Sequence, residues 1–288
     1  MNDGSLILCD VDETLIDTHY EFTVPHDDLT AAIRHAEARG VIVGLNSDSG
    51  LATLERYAMR AGISGPIIAE RGALVQSERD TEPEVLVRDA TQFLELRSRF
   101  LDTLMDGQRR GQYVVILGDV NELSKPLALP SIPPRVLPSS TAVLVNGIRT
   151  CSLAFYVRKR VHYEWVTDAG TFNEVVAILE EVGPRCVPLW SELDELDRNS
   201  AYGICIVHHK DTQKPRAVDW ILQQAGERKV YMIGNSTADD LKDPRVIQCA
   251  VGNARPEYKA RCTDSGGFIA AQPLTAGVIE LLERITQK

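Results

Sequence analysis

The chain has no C-x-x-C pair; its six cysteines, Cys9, Cys151, Cys186, Cys205, Cys249 and Cys262, stand far apart. That scatter suggests neither a zinc knuckle nor a disulfide framework, and several of the cysteines lie in apolar runs where a reduced, buried thiol is the ordinary occupant. The six histidines lack metal-ligand spacing. No run of eighteen apolar residues occurs, and the opening MNDGS carries no basic segment ahead of an apolar one, so neither a membrane helix nor a secretory signal is expected. Positive charge is in deficit: 31 Lys and Arg against 41 Asp and Glu leave a formal charge of -10. That balance speaks against nucleic acid and membrane surfaces as partners, since both are polyanionic. A small anionic substrate stays open, because a metal ion and a few local cations outweigh a global field. The expectation is a cytoplasmic protein with a small-molecule partner; oligomeric state is not legible.

What is present is ordinary globular material. The chain has 288 residues, 44% hydrophobic and 25% charged, enough for one large domain or two moderate ones. The stretch LILCDVDETLID, residues 6 to 17, is an apolar strand that ends abruptly in Asp10 and Asp12. A strand so apolar is buried on both faces, so its carboxyl end is where chemistry can surface. Alternation sends both acids to one side, with Thr14 in the turn that follows. Two carboxylates so close repel unless a cation lies between them or one keeps a proton. Asp and Thr are also common turn residues, so a solvated turn is equally open at this point.

The order of elements then reads as βαβ: a helix over 29–40 ended by Gly40, the strand VIVGL, a helix over 49–62, and a short strand pair over 66–75. From about Val87 the pattern changes to a long helix followed by runs of strands. The segment 124–138 holds five of the fourteen prolines and reads as an extended connection. βαβ order resumes with KPRAVDWILQQAG, VYMIG, CAVG and a closing helix. We therefore expect an α/β unit, residues 1–86 and 207–288, interrupted by an inserted α+β unit over 87–206. Polar groups follow each apolar strand: Asn46, Ser47 and Asp48; Asn235, Ser236 and Asp239; and Asn253. Ligands in open parallel sheets bind beyond the carboxyl ends of strands, so these groups should converge on Asp10 and Asp12, with Lys214 at the start of a helix in reach.

This succession resembles the haloacid dehalogenase superfamily of phosphohydrolases. DVDETL is similar to its first motif, Ser47 to its second, Lys214 to its third and GNSTADD to its fourth, and the likeness runs over almost the whole chain. The segments GPIIAERGALV and AVGNARPEYKARC resemble the subclass IIB branch, whose members include Cof-like phosphatases, sucrose-phosphate phosphatase and phosphomannomutase. The resemblance implies a Rossmann-like three-layer α/β core with a parallel sheet and an inserted α+β cap. It implies a Mg²⁺-dependent phosphatase of a small phosphorylated metabolite, a sugar phosphate being the expected class.

In that reading Asp10 is the nucleophile that takes up the phosphoryl group, and Asp12 is the acid and base that also lends its carbonyl to the metal. Lys214 neutralises transition-state charge. Asn46, Ser47, Asp48, Lys214 and Asn253 are the expected phosphate contacts. Asp10, Asp12, Asn235 and Asp239 are the expected metal ligands. The chain departs from the family pattern in three places. Asn235 stands where a carboxylate is usual, which removes a charge unless Asp239 or Asp240 moves inward. Ala238 replaces a polar residue, and Ser47, Asp48 and Ser49 replace a Thr-Gly-Arg, losing an arginine. In the insert, Arg158, Lys159, Arg160 and His162, or Trp190, Glu192 and Asp194, are candidate substrate contacts, although a solvated charged face is the commoner meaning of such runs. A phosphomutase, or a non-catalytic binding protein on a degraded phosphatase scaffold, remain the alternatives.

Overall fold

A computed structural model describes residues 4–79, 81–118, 141–161, 164–186, 197–199, 203–225 and 228–287. The proline-rich segment 124–138 and the candidates His162, Trp190, Glu192 and Asp194 lie outside these residues. The chain forms two units, Met1–Leu86 with Gln213–Lys288, and Val87–Thr212. The second unit runs past position 206, because Ile204–His208 is a strand of its own sheet.

In the first unit the order is β1 (Leu6–Cys9), α1 (His26–Glu37), β2 (Ile42–Asn46), α2 (Leu51–Ala61), β3 (Ile67–Ala69), β4 (Leu74–Gln76) and β5 (Glu84–Val85). After the insert it resumes with α5 (Lys214–Ala225), β12 (Val230–Gly234), β13 (Val246–Ala250), α6 (Pro256–Asp264) and α7 (Leu274–Thr286). The seven strands line up as β13-β12-β1-β2-β3-β4-β5. Pairing is parallel from β13 to β3 and antiparallel from β3 to β5. The chain steps from β1 to β2 on one side and returns through β12 on the other. The sheet thus changes direction at β1, and a crevice opens at its carboxyl end, where Asp10 begins.

Local chemistry explains the helices. In α1, Leu29, Ile33 and Ala36 fall on one buried stripe, with Asp27 and Asp28 in the first turn and Arg34 and His35 in the last, each sign complementing the helix dipole. Helix α2 stops at Gly62, whose φ of +78° closes the helix with an N–H to the Ala58 carbonyl. Helix α5 buries Ala217, Val218, Ile221 and Leu222 against Leu6 and Leu8 of β1 and Val230 and Met232 of β12. Since α5 begins at Lys214, this packing also fixes where that lysine starts. Among the described residues no helix is long and apolar enough to cross a membrane.

The second unit comprises α3 (Thr91–Arg109), β6 (Val114–Gly118), β7 (Thr141–Asn146), β8 (Ser152–Val161), β9 (Glu164–Thr167), α4 (Ala169–Cys186), β10 (Asp197–Asn199) and β11 (Ile204–His208). Its sheet runs β10-β11-β8-β7-β6, with β9 on β8. Phe93, Leu96, Phe100 and Leu104 of α3 and Phe172, Val175, Val176 and Leu179 of α4 pack on one face of this sheet. Phe155 sits between Phe100 and Phe172, with ring centroids at 5.4 and 6.0 Å.

Asp168 stands immediately ahead of α4. It accepts the Thr171 N–H at 3.2 Å, the Thr171 hydroxyl at 3.2 Å and the Thr141 hydroxyl of β7 at 2.8 Å. Burial pushes this carboxyl up, but those hydrogen bonds outweigh burial and hold it below the usual range. Asp168→Ala should cost about 1 kcal/mol in denaturant unfolding. Because the native value is depressed, that contribution is complete above about pH 4, the unfolded value, and is lost as pH falls through the native one. Unfolding curves of the wild type and the variant should therefore converge toward acid; a constant difference from neutral to acid pH would contradict the cap.

Candidate active site

Strand β1 ends with the Asp10 N–H donating to the Ile233 carbonyl of β12 at 2.8 Å, which places the next residues at the crevice. The following turn is wound on one acceptor, the Val11 carbonyl, which receives the N–H groups of Thr14, Leu15 and Ile16. Asp10 and Asp12 both line a cavity of about 170 Å³, shared with Glu13, Asp48, Lys214, Asn235, Ser236, Ala238, Asp239 and Arg255. The two acids differ in exposure. Asp10 is buried at 6% exposure, whereas Asp12 is open to solvent.

Lys214 is the centre of the site. Its ammonium, buried at the start of α5, lies 3.2 Å from Asp10 Oδ1 and 2.8 Å from Asp239 Oδ1. The second oxygen of Asp10 accepts the Thr14 hydroxyl at 3.0 Å. Burial, then Asp239, push the Asp10 carboxyl well up despite Lys214. Burial alone would lower Lys214, but Asp239 and Asp10 outweigh it and hold the ammonium well above its usual value. One cation serves two buried carboxylates, with Asp12 and Asp48 adding further negative charge at the rim.

Asp239 reaches Lys214 through a tightly folded loop. Its Oδ2 accepts the N–H groups of Asn235 at 3.1 Å and Ser236 at 3.2 Å, and Ser236 caps the short 3₁₀ turn Thr237–Asp239 in return. Gly234 permits this: a Cβ there would lie 2.4 Å from Asp239 Oδ2 and 2.6 Å from its Cβ. Asp239, expected as a metal ligand, lines the cavity with Oδ1 on Lys214 and Oδ2 on the Asn235 and Ser236 N–H groups.

Two other expectations change. Asn253, expected at the phosphate, donates its Nδ2 to the Glu13 carbonyl at 2.8 Å and accepts the Leu274 N–H at 2.8 Å, so it ties the acidic turn to α7. Asn46 is fully buried, contacts Met232 Sδ at 3.6 Å and is not part of the cavity lining. Ser47 remains in place: its hydroxyl and that of Ser49 lie 3.4 and 3.5 Å from Asp12 Oδ2, so both face the exposed acid. Asp48 lines the cavity.

Asn235 extends its Nδ2 to the carbonyls of Asp12, at 3.4 Å, and Glu13, at 3.3 Å. Among the described residues no three His, Cys, Asp or Glu side chains are grouped to hold a metal. The donors that could converge on one are the Asp10 carboxylate, the Asp12 carbonyl and the Asn235 side-chain oxygen once its amide turns over. All three are oxygens, which fits a hard cation such as Mg²⁺, and the surplus of buried carboxylate over ammonium favours a positive guest. Only one of the three donors carries charge.

Sequence reasoning missed Arg255. Its N–H donates to the Asn235 carbonyl at 2.8 Å, anchoring it beside the Asn235 loop, and its exposed side chain lines the cavity with no ion pair among the described residues. Its position just past the end of β13, like that of Asn253, was the available signal.

Comparison with solved structures agrees with this fold. A haloacid dehalogenase-like hydrolase from Bacteroides thetaiotaomicron superposes with a TM-score of 0.60 over 98% of this chain and 99% of its own, at 18% identity. The chain has the haloacid dehalogenase-like fold. A sugar phosphatase of subclass IIB of the haloacid dehalogenase superfamily also matches, with a TM-score of 0.53, 15% identity and 98% coverage of both chains. No protein-family profile matches. Among curated proteins, a phosphoglycolate phosphatase from Staphylothermus marinus is 25% identical over 261 residues, covering 89% of this chain and 87% of that protein.

Gly234→Ala should displace the Asp239 carboxylate and loosen its hold on Lys214. The expected outcome is activity reduced about a hundredfold with the fold retained, read by phosphate release beside circular dichroism. A variant as active as the wild type would show that Asp239 need not fold back.

Proposed function

We propose that this chain is a phosphatase that hydrolyses a small phosphorylated metabolite through a phosphoryl group carried on Asp10. The observation that carries the reading is the buried Lys214 ammonium held between Asp10 and Asp239 at the end of β1. An Asp10 oxygen attacks phosphorus, forming the aspartyl–phosphate bond as the ester P–O bond breaks. Asp12, exposed and faced by the hydroxyls of Ser47 and Ser49, gives its proton to the leaving oxygen. Water then attacks phosphorus, the Asp10 O–P bond breaks, and Asp12 takes the water proton. Lys214 offsets the charge that gathers on the phosphoryl oxygens.

Asp10, the Asp12 carbonyl and Asn235 would hold Mg²⁺, whose chemistry is to offset the repulsion between a carboxylate and a phosphate dianion. The retained Asp10, Lys214 and Asp239 favour catalysis over a non-catalytic scaffold. The sugar phosphatase among the similar structures supports a sugar phosphate as substrate. Arg255 favours a second reading, a phosphate ester bearing another anionic group, in keeping with the phosphoglycolate phosphatase to which the chain is similar.

Phosphate release from a chromogenic ester with Mg²⁺ tests the assignment. Asp10→Asn should lower turnover about a thousandfold or more, and equal rates would sink it. Asn235→Asp should lower the Mg²⁺ concentration for half-activation about tenfold and raise metal affinity by calorimetry; unchanged binding would remove Asn235 from the ligand set. With phosphoglycolate as substrate, Arg255→Ala should raise KM about tenfold while leaving KM for a neutral sugar phosphate unchanged. Equal effects on both substrates would argue against a carboxylate contact.

A further inference from the structure

A cavity of about 540 Å³ opens at the opposite end of the same sheet, within the size range of small-molecule sites. It is bounded by Leu6 and Ile42, the first residues of β1 and β2, and by Trp220 and Gln224 on the second half of α5. Arg79, just after β4, and Arg228, just before β12, also line it. Neither guanidinium has an ion pair or a hydrogen bond among the described residues, although Glu78 lines the same cavity. The cavity thus sets two uncommitted guanidiniums beside a half-buried indole in a chain with a formal charge of -10.

We infer that this cavity is a second binding site, for a nucleoside monophosphate. The phosphate suits the two guanidiniums, whose planar forks match its oxygens in pairs. The flat base suits the indole face of Trp220. Glu78 and Gln224 supply an acceptor and an amide for the ribose hydroxyls or a base amine. A simple inorganic anion would leave the indole unused, and an uncharged aromatic would leave both arginines unused. The site lies at the far ends of the two elements that carry the catalytic pair: β1 runs from Leu6 to the edge of Asp10, and α5 from Lys214 past Trp220.

The test is calorimetric titration with adenosine 5′-monophosphate of the full chain carrying Asp10→Asn, which keeps turnover out of the measurement. The nucleotide should bind more tightly than adenosine or inorganic phosphate. Adding Arg79→Ala and Arg228→Ala should weaken binding about tenfold or more without changing the melting temperature. Should the double variant melt lower, Arg79→Ala alone, at an exposed side chain, carries the same comparison. No binding at millimolar nucleotide, or an affinity unchanged by loss of the arginines, would overturn the proposal. So would binding lost through Lys214→Ala but kept in the arginine variants, because the nucleotide would then sit at the catalytic rim.

Discussion

Everything at the candidate site depends on one buried ammonium answering to two buried carboxylates. Lys214 lies 3.2 Å from Asp10 and 2.8 Å from Asp239, with all three side chains nearly out of water. Charges so placed persist only when paired, since an isolated one costs several kcal/mol. Strand β1 ends where it does so that Asp10 enters this cluster, α5 begins where it does so that Lys214 enters it, and the Asn235 loop folds back so that Asp239 closes it. Removing Lys214 would leave two carboxylates buried without their cation, whereas removing either carboxylate leaves Lys214 paired with the other. The site is thus a constraint on the fold as much as a product of it.

The pairing is incomplete, and that is what makes it chemically useful. Burial first, and then the negative surplus of two carboxylates against one ammonium, push the Asp10 carboxyl upward, which works against a nucleophile. A cationic guest would favour the ionised form, whichever side chains ligate it.

Much of this was legible from strand ends. Apolar runs that stop at acids or amides placed Asp10, Asp12 and Asp48 at the crevice, with Ser47 buried against Asp12, because a parallel sheet leaves only those ends open. Lys214 was legible as the first residue of an amphipathic helix. The errors were of one kind: they concern where a side chain points after the strand has ended. Asn46 and Asn253 follow apolar runs as the active residues do, but one turns into the core beside Met232 and the other bonds to Glu13 and Leu274. Asp239 read as a free acid because the capping box that consumes it depends on Gly234 lying under it, a close approach without a sequence period. Arg255 follows the last strand, away from the second strand where the usual Thr-Gly-Arg arginine is lost, so it stands outside the motif that would have marked it.

The amide at position 235 has a physical rationale in the hydrogen bonds it makes. Its Nδ2 lies between the carbonyls of Asp12 and Glu13, both of which need a donor. Glu13 adopts a φ of +55°, a conformation that side-chain-bearing residues adopt at a cost, so the turn benefits from being held. A carboxylate in the same place would oppose two carbonyl oxygens and the neighbouring acids, a tolerable arrangement only with a cation between them. The amide supplies the positive edge itself, and Asn253 adds a second donor to the same Glu13 oxygen at 2.8 Å. The acidic turn is therefore held closed by two side-chain amides, at the expense of the charge that would grip a metal. Holding the turn by hydrogen bonds and carrying charge toward a cation oppose each other at this one residue.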